Sequence, residues 1–138
     1  MRVVVTGGRF YDDYSRLAGV LDEIHTSGWV PEKWLTDPGH FKPISPPITL
    51  LAHGQCEYGG TDELAEHWAD ANGVKCSPYP AKHHPRTGRL LGSARNAKMI
   101  VMVNPHLVIA SPGGIGTLNC IKQAKTKLIP VLEFDRGP

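Results

Sequence analysis

The sequence contains no acidic residue between Ala71 and Leu132. That stretch nevertheless carries nine basic residues: Lys75, Lys82, Arg86, Arg89, Arg95, Lys98, Lys122, Lys125 and Lys127. The formal net charge of +2 therefore hides an uneven distribution, because most of the acids precede Ala71. Basic groups without acidic neighbours favour an anionic ligand, although a solvated basic surface would give the same composition.

Long apolar runs and paired cysteines are also missing. No run approaches the roughly 20 residues of a membrane span, and the opening MRVVVTGG lacks the apolar core of a signal peptide. A cytoplasmic protein without a membrane partner is therefore expected. Cys56, Cys76 and Cys120 form no CxxC pair, and the histidines form no HExxH motif. These absences argue against a disulfide framework and against a metal site.

Strand-like runs alternate with amphipathic helical runs along the chain. The predicted strands are RVVVT, ITLLAHG, VKCSPYP, HLVIA and IPVLEF. Helices are predicted around 17–24, 59–73 and 90–103, and from the glycine turn after HLVIA to about 125. Parallel strands require such crossovers, so the pattern predicts a single Rossmann-like α/β domain over 1–138. It would have a parallel sheet of about five strands with helices on both faces.

The segment 28–47 interrupts this alternation. It holds five prolines: Pro31, Pro38, Pro43, Pro46 and Pro47. Prolines at that density exclude a helix or a central strand, so a long loop is predicted.

The stretch SPGGIGT follows the fourth predicted strand and opens the last helix. Glycines let the backbone approach a ligand closely, and the free N–H groups of a first helical turn attract anions. The residues of this predicted anion cradle are Pro112, Gly113, Gly114, Ile115, Gly116 and Thr117. A tight turn with a helix cap is the alternative. The stretch lacks the lysine of a Walker A loop, and the first loop, TGGRFY, is not a GxGxxG fingerprint.

Two further glycine-rich loops follow strands at the same predicted edge of the sheet, where ligands bind in such folds. Their residues predicted to line the sugar and base side are Gly7, Gly8, Gly54, Gly60 and Asp62. Arg9 is placed to hold a second phosphate or to stack on a base, and Tyr11 could stack or simply pack. Arg95, beside Asn96, could clamp a phosphate with two hydrogen bonds.

The blocks GSARNAKMI and LVIASPGGIGTLNCIKQA together resemble the SLOG superfamily of Rossmann-like nucleotide-binding proteins. The resemblance is to its small, often phage- or plasmid-borne YspA-like branch. VVVTGGRFYDDYSRLAGVLDEI and HGQCEYGGTDELAEHWADANGV are similar to the first two blocks of that branch, so the likeness covers most of the chain. It implies a nucleotide-binding protein of phage or prophage origin and a homodimer formed through helices near the site.

The same superfamily includes the LONELY GUY-type phosphoribohydrolases, which cleave the N-glycosidic bond of nucleoside 5'-monophosphates and carry PGGxGTxxE. By this resemblance their catalytic arginine corresponds to Arg95, whereas the position of their catalytic glutamate is Cys120. A cysteine does not reliably supply the charge or the proton transfer that an oxocarbenium-like transition state requires. Asp62 or Glu63 could substitute, although the helix dipole alone also favours acids in a first turn.

Three functions stay open at this point. The first is a sensor or sequestering module that binds a phosphorylated nucleoside or an ADP-ribose-like nucleotide, and Cys120 favours it. The second is an N-glycosidic hydrolase with Arg95 and Asp62 as catalytic residues. The third is nucleic-acid binding, for which aromatic stacking residues are scarce, since Tyr79 alone lies between Ala71 and Leu132. No cofactor is expected.

Overall fold

The computed structural model describes residues 1–36 and 44–135, so Pro38 and Pro43 of the proline-rich segment lie outside the described residues. The strands are β1 Arg2–Thr6, β2 Leu50–His53, β3 Lys75–Pro78, β4 Leu107–Ala110 and β5 Val131–Glu133. The helices are α1 Tyr14–Ser27, α2 Gly60–Ala71, α3 Gly92–Val103 and α4 Ile115–Thr126. Within the described part of the chain, no helix is long and apolar enough to cross a bilayer.

The strands form one parallel sheet in the order β3-β2-β1-β4-β5. The chain builds outward from β1 to β3, then returns to the other side of β1 to add β4 and β5. The predicted α/β fold is therefore confirmed. A topological switch point lies between β1 and β4, where ligands bind in this class of fold.

Helices cover both faces of the sheet. Val3 and Val5 of β1 pack in a core layer with α1 and α2, whereas Val4 packs in a second layer with α3 and α4. This division follows from the two-residue period of a strand. Because both faces are buried, the central strands are apolar without alternation, which is typical of parallel sheets.

Local signals fix the ends of α1 and its contact with α2. The Asp13 carboxylate accepts a hydrogen bond from the Arg16 N–H, and Gly28 ends the helix in the left-handed conformation, with φ 71°. Trp68 of α2 is 1% exposed and donates from its indole nitrogen to Asp22 of α1 at 2.8 Å. The buried ring therefore keeps its polar atom satisfied while it fills the core.

The proline-rich segment contains more structure than a plain loop. Glu32–Trp34 form one turn of 3-10 helix, and Leu35 then pairs in antiparallel fashion with Leu132 of β5. The Thr36 N–H donates to the Val131 carbonyl at 3.1 Å. Pairing here satisfies backbone groups at the outer edge of β5, which would otherwise be open to another strand.

A side chain at Gly7, just after β1, is expected to destabilise the fold. A Cβ at Gly7 would overlap the Ser111 hydroxyl and lie 2.8 Å from the Thr61 Cβ. These two buried side chains also share a hydrogen bond at 2.6 Å. Gly7→Ala should lower the free energy of unfolding by about 1–3 kcal/mol, measured by urea denaturation, because overpacking strains a buried site.

The matched control is Gly19→Ala in α1, where a Cβ meets no atom within 4 Å. Alanine there should raise the free energy of unfolding by roughly 0.5–1 kcal/mol, since it favours a helix interior over glycine. Similar effects of the two substitutions would contradict the tight packing at Gly7.

Candidate functional site

A cavity of about 630 Å³ lies at the carboxyl edge of the sheet, beside the switch point. Its lining comes from the loops after β1, β2, β3 and β4 and from the first turns of α2, α3 and α4. A second depression, of about 740 Å³, lies against α1 and α2 between Tyr14 and Asp70, but it is wide open to solvent. The cavity of about 630 Å³ is less open and is the one that most of the predicted site residues line or support.

The first turn of α4 lines this cavity with exposed backbone atoms. No side chain caps the helix at Gly114, so its first N–H groups have no partner within the helix. A Cβ added at Gly114 or Gly116 would meet no atom within 4 Å, and both glycines line the cavity with Ile115 and Thr117. The turn therefore presents free N–H donors and the positive end of the helix dipole to the cavity.

The glycines behind this turn join the first and fourth strand loops. The Gly8 N–H donates to the Pro112 carbonyl at 2.9 Å. A Cβ on Gly113 would lie 2.8 Å from that same Gly8 nitrogen, and one on Gly60, whose φ is 67°, would lie 2.6 Å from the Arg9 Cα. Pro112, Gly113 and Gly60 thus support the wall from behind, whereas Gly7 and Gly8 line it.

Arg95 reaches the cavity from α3 and is held by backbone carbonyls of the sheet edge. Its Nη1 donates to the Gly54 carbonyl, in a very short contact, and to the Tyr79 carbonyl at 3.4 Å. These carbonyls follow β2 and β3, so one guanidinium joins two strand ends. A side chain at Gly54 would overlap the Arg95 guanidinium. Gly54 does not itself line the cavity.

Asn96 is buried and positions Arg95 against α4. Its Oδ1 accepts from Arg95 Nε at 2.8 Å, and its Nδ2 donates to the Gly116 carbonyl at 3.2 Å. Nδ2 also donates to Asn119 Oδ1 at 3.0 Å. Asn96, which the sequence predicts to contact the ligand, does not line the cavity. Its side chain connects Arg95 to the first turn of α4.

Of the two candidate acids, the structure places only Asp62 in the cavity. Asp62 is 8% exposed, and its Oδ2 accepts from the Cys56 N–H at 3.1 Å. Burial raises the pKa of the Asp62 carboxyl above its ordinary value, against the opposing influence of His53 and Arg95. Glu63 lies outside the cavity, with its carboxylate 4.0 Å from the exposed ring of His67.

Cys120 takes no part in the cavity surface. Its side chain is fully buried in the core layer under α3 and α4. Burial raises the pKa of its thiol to about 11, so the group stays protonated and uncharged at neutral pH. It therefore supplies neither the carboxylate that the sequence motif lacks nor a thiolate nucleophile.

Arg9 stands at the mouth of the cavity above two aromatic rings. Its guanidinium carbon lies 5.3 Å from the centre of the Phe10 ring and 5.1 Å from that of Tyr58. Tyr11, by contrast, packs edge-on against Phe134 at 6.1 Å. Burial raises the pKa of Tyr11 to about 12, and its hydroxyl has no hydrogen-bond partner in the described residues. Of its two possible roles, packing is the one observed.

Sequence reasoning missed the wall formed after β2 and β3. Gln55, Tyr58, Pro80, Ala81 and Leu90 line the cavity there. Tyr58 belongs to HGQCEYGG, the glycine-rich loop that follows the second predicted strand. That position was the available signal, since loops at strand carboxyl ends carry ligand contacts.

A cluster of His53, Glu66 and Cys76 has the composition of a metal site, with ligand atoms within 4.8 Å of one another. However, His53 Nδ1 accepts a hydrogen bond from the Gln55 N–H at 2.9 Å. Nε2 therefore carries the ring proton and donates to Glu66 Oε1 at 3.3 Å. In this arrangement both ring nitrogens of His53 are engaged in hydrogen bonds within the protein. Burial also raises the pKa of the Cys76 thiol to about 11.

Comparison with known proteins gives one distant similarity. The chain is 27% identical over 144 residues to the gene 61 protein of Mycobacterium phage D29, covering 99% of this chain and 98% of that protein. No family model and no solved structure matches the chain. The similarity to a phage protein agrees with the phage origin implied by the sequence blocks.

Asp62 is expected to lower the stability of the fold at neutral pH. Its raised pKa means that the folded state holds the proton more tightly than the unfolded chain, so stability falls as pH rises through the folded pKa. Asp62→Asn removes this effect and keeps an acceptor for the Cys56 N–H. The variant should have the higher melting temperature at pH 7.

The difference should shrink as pH is lowered through the folded pKa of Asp62, because the native carboxyl then becomes neutral as well. Thermal unfolding of both proteins from pH 7 to pH 4 measures this. The paired substitution Asp70→Asn, at an exposed position of the same helix, should show no such convergence. A difference in melting temperature between the wild type and Asp62→Asn that stays the same from pH 7 to pH 4 would contradict a raised pKa of Asp62.

Proposed function

We propose that this protein binds a phosphorylated nucleoside or an ADP-ribose-like nucleotide and acts as a sensor or sequestering module. The observation that carries the proposal is the uncapped first turn of α4, whose glycines leave backbone N–H groups open to the cavity. A phosphate bound there would accept hydrogen bonds from backbone donors and lie at the positive end of the helix dipole.

The charges around the cavity support an anionic ligand. Arg9 and Arg95 both line it. The Nε and Nη1 atoms of Arg95 donate hydrogen bonds to Asn96 and Gly54, and these bonds fix the guanidinium in place. Two acidic side chains also line the cavity. Burial raises the pKa of Asp62 whereas the charge of Arg95 lowers it, and Glu57 lies 3.4 Å from His83. The first turns of α2 and α3 add further positive dipole ends.

The size of the cavity also supports a nucleotide-sized ligand. About 630 Å³ falls within the range of roughly 300–1,000 Å³ of small-molecule sites. A bare inorganic anion would leave most of that space empty. The sequence blocks that resemble nucleotide-binding proteins point in the same direction, and the similarity to a phage protein fits a phage-encoded module.

Gly116→Asp tests the phosphate cradle without disturbing the fold. A side chain at Gly116 has open space, and an acid in a first helical turn is favoured by the dipole. The variant should fold with unchanged or slightly higher stability. Its affinity for nucleoside monophosphates should fall by about 10-fold or more, because a carboxylate would occupy the anion site.

Isothermal titration calorimetry with the four common nucleoside monophosphates, ADP-ribose and cyclic nucleotides measures the affinity. Gly19→Asp is the matched control, since Gly19 also has open space around it but lies in α1, away from the cavity. Equal affinities for the wild type and Gly116→Asp would place the anion elsewhere. If no nucleotide binds to the wild type while single-stranded nucleic acid does, the proposal fails.

Hydrolysis of the N-glycosidic bond is the second candidate, and the burial of Asp62 in the cavity favours it. In that reaction a water oxygen bonds to C1' of the ribose and gives a proton to the Asp62 carboxylate. The bond between C1' and the base nitrogen breaks, and the base leaves with the electron pair and takes up a proton from solvent. The Asp62 carboxyl then releases its proton to solvent, which restores the carboxylate. Burial raises the pKa of the Asp62 carboxyl, which makes its carboxylate a stronger base for this proton transfer.

Incubation with nucleoside monophosphates, followed by chromatography of free base, separates the two candidates. For a hydrolase, Asp62→Asn should lower kcat by about 100-fold or more while the affinity for substrate changes little. Glu63→Gln is the control, because Glu63 lies outside the cavity. Intact ligand recovered from the wild type, with no base released over many hours, would leave binding as the function.

A further inference from the structure

We propose that the wall formed by Tyr58 and Leu90 binds the ring of the ligand, so that the cavity takes an aromatic base at this end and a phosphate at the α4 end. This inference rests on the proposed nucleotide-binding function and deepens it by assigning residues to the base. Neither residue was among the predicted site residues.

The two ends of the cavity differ in chemistry. The end at α4 consists of glycines, Thr117 and exposed backbone donors. The wall after β2 and β3 carries the largely apolar Tyr58, Pro80, Ala81 and Leu90 beside the polar Gln55, Cys56 and Glu57. A ligand that fills both ends must carry an anionic group on one side and an apolar, flat or bulky group on the other. A nucleoside phosphate has this composition.

The apolar end exposes large side chains to water. Tyr58 is 63% exposed and Leu90 is 45% exposed, and both line the cavity. Apolar side chains exposed together, rather than scattered singly, mark binding surfaces. A planar ring bound between them would remove this surface from water and gain stacking energy with Tyr58.

Arg9 lies over the rings of Phe10 and Tyr58. The centres of the Phe10 and Tyr58 rings lie 6.4 Å apart, much less than the sum of their distances to the Arg9 guanidinium. The guanidinium therefore lies above both rings and does not separate them. One face of the Tyr58 ring stays free of Arg9, and Tyr58, unlike Phe10, lines the cavity.

Contacts between the two segments hold Tyr58 and Leu90 near each other. Glu57, next to Tyr58, lies 3.4 Å from the ring nitrogen of His83. His83 in turn pairs with Leu90 in an antiparallel bridge, and the Leu91 N–H donates to the Lys82 carbonyl at 2.8 Å. The segment that carries Leu90 therefore contacts the loop that carries Tyr58.

The test compares Tyr58→Ala with Phe10→Ala, using adenosine monophosphate and ribose 5-phosphate as probes in calorimetry. Tyr58→Ala should weaken binding of the nucleotide by about 10-fold or more, the effect expected when one stacking ring is lost. Binding of ribose 5-phosphate, which has no base, should stay within about 2-fold. Tyr58→Phe, which keeps the ring, should restore nucleotide affinity, and Phe10→Ala should change it little.

Other outcomes overturn the inference in distinguishable ways. Equal weakening of both probes by Tyr58→Ala would mean that the ring supports Arg9 or the loop instead of the base. A nucleotide that binds the wild type and Tyr58→Ala equally well would place the base elsewhere while leaving the proposed function intact. If neither probe nor any other nucleotide binds the wild type, the proposed function fails, and this inference fails with it.

Discussion

The contact between the loops after β1 and β4 is the constraint on which the site depends. These two strands are neighbours in the sheet although most of the chain separates them in sequence. Gly8 and Pro112 join the loops through a backbone hydrogen bond, and Gly7 packs against Ser111 with no space for a side chain. Because the loops touch here, the first turn of α4 and Arg9 line the same cavity.

A second constraint comes from Arg95. The guanidinium binds carbonyls that follow β2 and β3, and through Asn96 it connects to the first turn of α4. One side chain therefore joins three segments around the cavity. Its charge also lies near Asp62, whose carboxyl is buried without a direct ion pair among the described residues. The fold accepts a buried acid at this position, which is common where a group serves a ligand and not the core.

Most of the fold could be predicted from the sequence because its signals are local. The signals are strand-like runs, apolar residues at helical spacing and glycines at strand ends. They predict the position of every strand and α-helix to within a few residues of the observed bounds. The glycine turn was predicted for the same reason. The sequence could not separate Asp62 from Glu63, since neighbouring residues on a helix point about 100° apart and only the rotation of α2 against the sheet decides which one is buried.

Residues whose role depends on distant contacts were beyond sequence reasoning. Tyr58 and Leu90 lie outside the regular helices and strands, where no periodicity indicates direction. Their segments are brought together by the contact of Glu57 with His83 and the pairing of His83 with Leu90. Asn96 looked like a ligand contact because it is polar and next to Arg95. Its burial against Gly116 and Asn119 depends on how α3 packs on α4, which the sequence of either helix alone does not specify.

The antiparallel pairing of Leu35 with β5 has a consequence for self-association. At that edge the sheet already has a short partner from its own chain. At the other edge, β3 contains Lys75 and Pro78, a charge and a residue without an N–H donor, and both discourage a further strand. A sheet continuous across two copies of this chain is therefore disfavoured at both ends. Copies that do associate would meet through helices, and the exposed Val101, Met102 and Leu118 of α3 and α4 offer apolar surface for it.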